Sequence, residues 1–111
     1  MKKKNKKVFK LSKMVRGWFI GNFSPTVKKT KLFEVAIQNY SKGDFEPSHH
    51  HKKACEITVI AKGSAKMNNR IYNEGDIIFI KPKESTNFKA LTRVMTVVVK
   101  IPSVKGDKYL D

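Results

Sequence analysis

Two histidines and one glutamate are the residues of this sequence whose types and spacing suit chemistry. They lie in Gly43-Asp-Phe-Glu-Pro-Ser-His49-His50-His51-Lys-Lys-Ala-Cys-Glu56-Ile-Thr-Val-Ile-Ala-Lys-Gly63. Side chains two apart on a strand share a face, so His49 and His51 project together and His50 projects the opposite way. Glu56 follows a short turn and begins the next strand, which brings its carboxylate back toward the two imidazoles. Two neutral imidazoles and a carboxylate hold a divalent ion and leave coordination positions open. This donor set serves non-haem Fe(II) oxygenases and some catalytic zinc sites. It accepts Mn, Fe, Co, Ni, Cu or Zn, so ligand type leaves the metal open. Cys55 alternates away from Glu56 and reads as a packed thiol, with no base placed to activate it.

The elements that must position these groups are short. Residues 33–38 and 55–60 alternate with period two, the second run with β-branched residues. Residues 64–67 and 70–72 flank Asn68-Asn69, a pair that tolerates positive φ and suits a tight hairpin. Glu74-Gly75 turns into a strand over 76–80, and 95–101 is the strongest strand pattern in the chain. No amphipathic helix of useful length is present. Strands at short intervals with turn signals between them predict an all-β sandwich or barrel in one domain. Trp18, Phe19, Phe23, Phe33, Phe79 and Phe88 read as core or interface residues.

The spacing resembles that of a known family. Gly, five residues, His-x-His, four residues, Glu, six residues, Gly is the first motif of the cupins, and Gly43, His49, His51, Glu56 and Gly63 fill its fixed places. The resemblance implies a single-domain jelly-roll β-barrel over roughly residues 14–101, with metal ligands His49, His51 and Glu56 inside its mouth. The second cupin motif is degraded. Gly75 and Asp76 begin it, but Lys81 stands at the expected proline, Lys83 at the glycine, Thr86 at the histidine and Ala90 at the asparagine. The fourth ligand is therefore missing, which leaves Thr86, Asn87 or water to fill its place. Tyr40, Thr58 and Met95 are the further candidates for pocket neighbours. Lys81, Lys83 and Lys89 fall near the expected mouth. Small cupins pair through an edge strand or sheet face, which implies a homodimer.

Charge divides the chain. Of its 111 residues, 24 are Lys or Arg and 9 are Asp or Glu, a formal net charge of +15. Residues 1–31 hold no acidic residue and most of that excess, so 1–13 read as a basic, flexible arm and 14–111 as the barrel with a C-terminal extension. A lysine run of this kind is usually a solvated segment. Binding of nucleic acid or an acidic surface is the weaker reading, since interleaved aromatics, a helix-turn-helix pattern and zinc-finger spacing are all missing. No apolar stretch approaches the roughly 20 residues of a membrane span. A lone cysteine and a basic start without a continuous apolar run fit a cytoplasmic location.

Two functions follow as expectations. The first is metal-assisted chemistry, dioxygenase-like or isomerase-like by resemblance, on a small organic acid or sugar derivative. The second is a non-catalytic binding or sensor module with a vestigial metal site, which the missing second-motif histidine favours.

Overall fold

The computed structural model describes residues 6–111, so the first five residues of the basic arm lie outside the described part. Two 3-10 turns, Leu11–Lys13 and Val15–Gly17, precede eleven strands. These are β1 (Trp18–Gly21), β2 (Lys28–Lys29), β3 (Glu34–Tyr40), β4 (Phe45–His50), β5 (Cys55–Lys62), β6 (Ser64–Met67), β7 (Arg70–Asn73), β8 (Ile77–Ile80), β9 (Thr86–Ala90), β10 (Val94–Ile101) and β11 (Tyr109–Leu110). They form a six-stranded sheet in the order β2-β1-β3-β10-β5-β8 and a five-stranded sheet in the order β11-β4-β9-β6-β7. The fold is all-β, as the strand spacing predicts. None of the described helices is long and apolar enough to cross a membrane.

Local chemistry accounts for the joints. Asn68 and Asn69 both take positive φ, 48° and 65°, and close the β6–β7 hairpin. Gly63 links β5 to β6 at φ 84°, where a Cβ would also collide with the Arg93 carbonyl oxygen. The first motif therefore keeps a glycine there for backbone reasons rather than chemical ones.

The apolar core occupies one end of the space between the sheets. Ile60, Met67, Ile80, Phe88 and Val94 are buried there with Ala65 and Ala90, and Tyr40, Tyr72 and Ile78 pack against them. The other end is polar. Across the six-stranded sheet, Glu34, Lys100 and Glu56 stand side by side on β3, β10 and β5. Thr96 and Val98 share the buried parity of β10 with Val94, and Lys100 continues it.

The opposite parity of that sheet is apolar and faces outward. Phe79, Ile57, Val99 and Val35 form one cross-strand row, and Ile77, Val59, Val97 and Ile37 form the next. Phe79 is 58% exposed and Ile77 67% exposed, both on the edge strand β8. Phe88 is buried as expected of a core aromatic, whereas Phe79 belongs to this outer face.

Candidate functional site

His49 lies near the end of β4, between Thr86 of β9 and Leu110 of β11. Its Nδ1 is 3.1 Å from the Pro47 carbonyl oxygen. A carbonyl accepts only, so Nδ1 is the donor, and in the neutral ring Nε2 is the nitrogen left with a lone pair. His51 follows directly after β4 and is 4% exposed. The turn that carries it is seated on a distant carboxylate. Asp107 accepts the backbone N–H groups of Lys52 at 3.0 Å, Lys53 at 3.1 Å and Ala54 at 3.0 Å. Burial alone would raise the Asp107 carboxyl, but those N–H groups outweigh it and hold the group below its ordinary value.

The His51 ring meets the His49 ring edge to face, with centroids 5.4 Å apart. Its Nε2 is buried and has no hydrogen-bond partner among the described residues. Burial pushes the His51 imidazole down to about 4, with the charges of Lys100 and His49 adding to the effect. The ring is therefore neutral at pH 7, the form that ligates a metal. His50 alternates outward. Its Nδ1 lies 2.7 Å from Asp111 Oδ1, and its ring stacks on Tyr109 with centroids 5.5 Å apart.

Glu56 and His49 line one interior cavity of about 70 Å³, together with Tyr40, Thr58, Thr86 and Asn87. Thr58 Oγ1 donates to Glu56 Oε2 at 3.1 Å and orients the carboxylate. His51 lines a neighbouring hollow of about 300 Å³ with Asp107, and Lys100 and Lys108 line both spaces. His49 and Glu56 thus share a cavity, while His51 flanks it from the adjoining one. Among the described residues, no three His, Cys, Asp or Glu side chains are grouped closely enough to hold an ion. The donors nonetheless suit a divalent metal in kind: a freed His49 Nε2, an orphaned His51 Nε2 and an oriented carboxylate.

The structure departs from one expected placement. Met95 was expected beside the pocket, yet the inward side of β10 belongs to Thr96, and Met95 does not line the cavity. A register shift between Met95 and Thr96 accompanies that exchange. Lys81, Lys83 and Lys89 are exposed and line none of it, whereas Arg16, Lys100 and Lys108 do. Sequence reasoning missed Lys100 because the odd positions of β10 are the more apolar ones, and apolar residues are ordinarily the inner ones.

Lys100 is the most consequential of these residues. Its ammonium lies 4.8 Å from the centroid of the Trp18 ring, a cation–π contact. Burial holds its pKa below the usual lysine range, against the opposing charges of Glu56 and Glu34. Among the described residues, no carboxylate comes within ion-pair distance of it. An open groove of about 670 Å³ shares Arg16, Gln38, Tyr40 and Glu46 with the cavity and forms its approach. Tyr40 donates its hydroxyl to Gln38 Oε1 at 2.8 Å at that junction.

No family model and no curated protein matches the sequence. Solved structures do match the fold. An uncharacterised conserved protein with a double-stranded β-helix domain from Klebsiella pneumoniae is similar at 20% identity and a TM-score of 0.71, over 94% of this chain and 90% of that one. An RmlC-like cupin from Shewanella frigidimarina is similar at 15% identity and a TM-score of 0.64, over 68% and 71%. Oxalate decarboxylase from Bacillus subtilis, in a structure concerned with its Mn(II) centres, is similar at 16% identity and a TM-score of 0.61, over 73% of this chain and 24% of that one. The chain has the cupin fold. Likeness at these identities is a likeness of fold.

Proposed function

We propose that the chain is a small metal-holding cupin that acts on or binds a small polar molecule. The observation that carries the reading is the His49–His51 pair: two buried imidazoles in edge contact, one with an orphaned Nε2, beside a cavity that also holds the Glu56 carboxylate. His49, His51 and Glu56 would hold Fe, Mn, Ni, Cu or Zn. Bound there, the ion would supply Lewis-acid polarisation at its open positions. Thr58 orients the carboxylate, and the Asp107 turn carries His51. Mn(II) centres in a protein of the same fold support a metal in such a barrel.

The test is metal content per chain, measured by elemental analysis on untagged protein purified without chelator. About one ion per chain is expected, falling to near zero in His49→Ala. Protein that stays metal-free after reloading with each of the five ions overturns the metal reading. A binding module without metal then takes its place, a reading favoured by Lys100 standing cross-strand from Glu56 as a resident cation.

We further propose that a second copy of this chain covers the outer face of the six-stranded sheet. Two rows of four apolar side chains, uncharged throughout and continuous with the free edge of β8, have the composition of an interface centre. In a chain of +15 net charge self-repulsion is least where charge is missing, and these eight positions supply such a surface.

A further inference from the structure

We infer that the interior cavity binds a small carboxylate, with one oxygen on the Lys100 ammonium and the other on the Thr96 hydroxyl. The inference rests on this cavity being the ligand site, as proposed above, and names the chemical class it takes.

Two independent observations support it. The first is charge. Three cations, Arg16, Lys100 and Lys108, line a cavity whose carboxylates are Glu46 and Glu56, and Glu34 stands beside Lys100 on the neighbouring strand. Lys100 is the one carried on the inward parity of a central strand, and no carboxylate among the described residues lies within ion-pair distance of it. Holding an ammonium partly out of water costs free energy, and an anion brought to it recovers much of that cost. The Trp18 ring fixes one side of the ammonium, which leaves its other protons for a ligand.

The second observation is Thr96. It is 1% exposed, lines the same cavity, and its Oγ1 has no hydrogen-bond partner among the described residues. Buried polar groups are nearly always satisfied, and an unsatisfied one on a cavity wall is a place where a bound group can complete the set. Thr96 and Lys100 share one face of β10, separated by Val98 on the same parity. A lysine side chain is long enough to lean back along such a face. One ammonium and one hydroxyl match the two oxygens and single charge of a carboxylate. A phosphate dianion would leave oxygens and charge uncompensated. The cavity volume, about 70 Å³, is far below the roughly 300–1,000 Å³ of sites for drug-sized ligands, so the bound portion has only a few heavy atoms. Anything larger extends into the open groove past Arg16 and Tyr40.

The test is an NMR titration of protein as purified with lactate, with its uncharged isostere lactamide, and with inorganic phosphate. Wild type is expected to bind lactate at least about tenfold more tightly than lactamide, the scale of a hydrogen bond to a charged group. Lys100→Met should abolish that preference, Lys100→Arg should keep part of it, and Thr96→Val should weaken lactate several-fold. General loosening of the barrel would weaken both ligands alike, so the preference separates recognition from structural damage. Undiminished preference in Lys100→Met overturns the assignment. So does a wild type that fails to bind lactate, or one that prefers phosphate through Lys100. Metal content read on the same samples keeps the two proposals apart. A Lys100-dependent preference in protein that stays metal-free after reloading sinks the metal and leaves the carboxylate site standing. Stoichiometric metal with lactate binding indifferent to Lys100 does the reverse.

Discussion

The inner face of the six-stranded sheet is apolar at one end and polar at the other, whereas its outer face is apolar along two whole rows. Toward the other sheet, its central strands present Gln38, Glu56, Thr58, Thr96 and Lys100, all lining the cavity. Away from it, the same strands present two unbroken apolar rows. In a half-solvated antiparallel sheet the apolar face packs inward and the polar face meets water. Here the barrel closes around polar groups at one end, and the apolar core is confined to the other end, around Ile60 and Phe88. A polar interior costs stability unless its groups find partners, and His51 Nε2 and Thr96 Oγ1 have none. The inner face thus keeps buried polar atoms without partners among the described residues, and the outer face leaves Phe79 and Ile77 exposed.

Substitutions on each face break or sharpen that contrast. The largest effect is expected outside. Phe79→Glu should raise the dimer dissociation constant at least about a hundredfold, because the charge enters the interface twice by symmetry. Sedimentation across a concentration series reads this, and lactate binding should stay unchanged. A dimer unaffected by the charge would mean that the outer face is not the contact.

Next comes the turn beneath His51. Asp107→Ala should cost about 2–3 kcal/mol in denaturant unfolding, since three buried or half-buried N–H groups lose their acceptor. Less than about 1 kcal/mol would show that the turn holds itself. Inside the cavity the sign reverses. Thr96→Val removes an unpartnered buried hydroxyl and should raise stability by about 1 kcal/mol while weakening lactate. A loss of stability would indicate that the hydroxyl is satisfied in solution. The smallest effect belongs to His50→Ala, within about 1 kcal/mol and with metal content unchanged, because His50 meets Asp111 at the surface. Metal loss equal to that of His49→Ala would mean that His50 shares the inward side.

Parts of this architecture are legible in the residues themselves. Period-two runs mark β3, β5 and β10, the asparagine pair marks the β6–β7 hairpin, and both are local properties of the backbone. The short strands β1, β2, β9 and β11 carry no such signal, and their places come from pairing with distant partners. Motif position alone marks Thr86 and Asn87, and the structure puts them on β9, opposite the end of β4. Lys100 and Thr96 escaped notice because the alternation in β10 has two readings, and the more apolar one suggests Met95 for the inside.

By itself the sequence determined an all-β chain, the β6–β7 turn, and the alternation that separates His50 from His49 and His51. Alternation over adjacent residues needs nothing beyond the strand. Tertiary structure alone decided which parity of β10 faces the cavity, which brings Lys100 into line with Glu34 and Glu56. It also decided that Asp107, more than fifty residues away in sequence, seats the turn carrying His51. Two-residue periodicity says that a strand has two faces, but only its neighbours across the sheet and the opposing sheet determine which of them is inside.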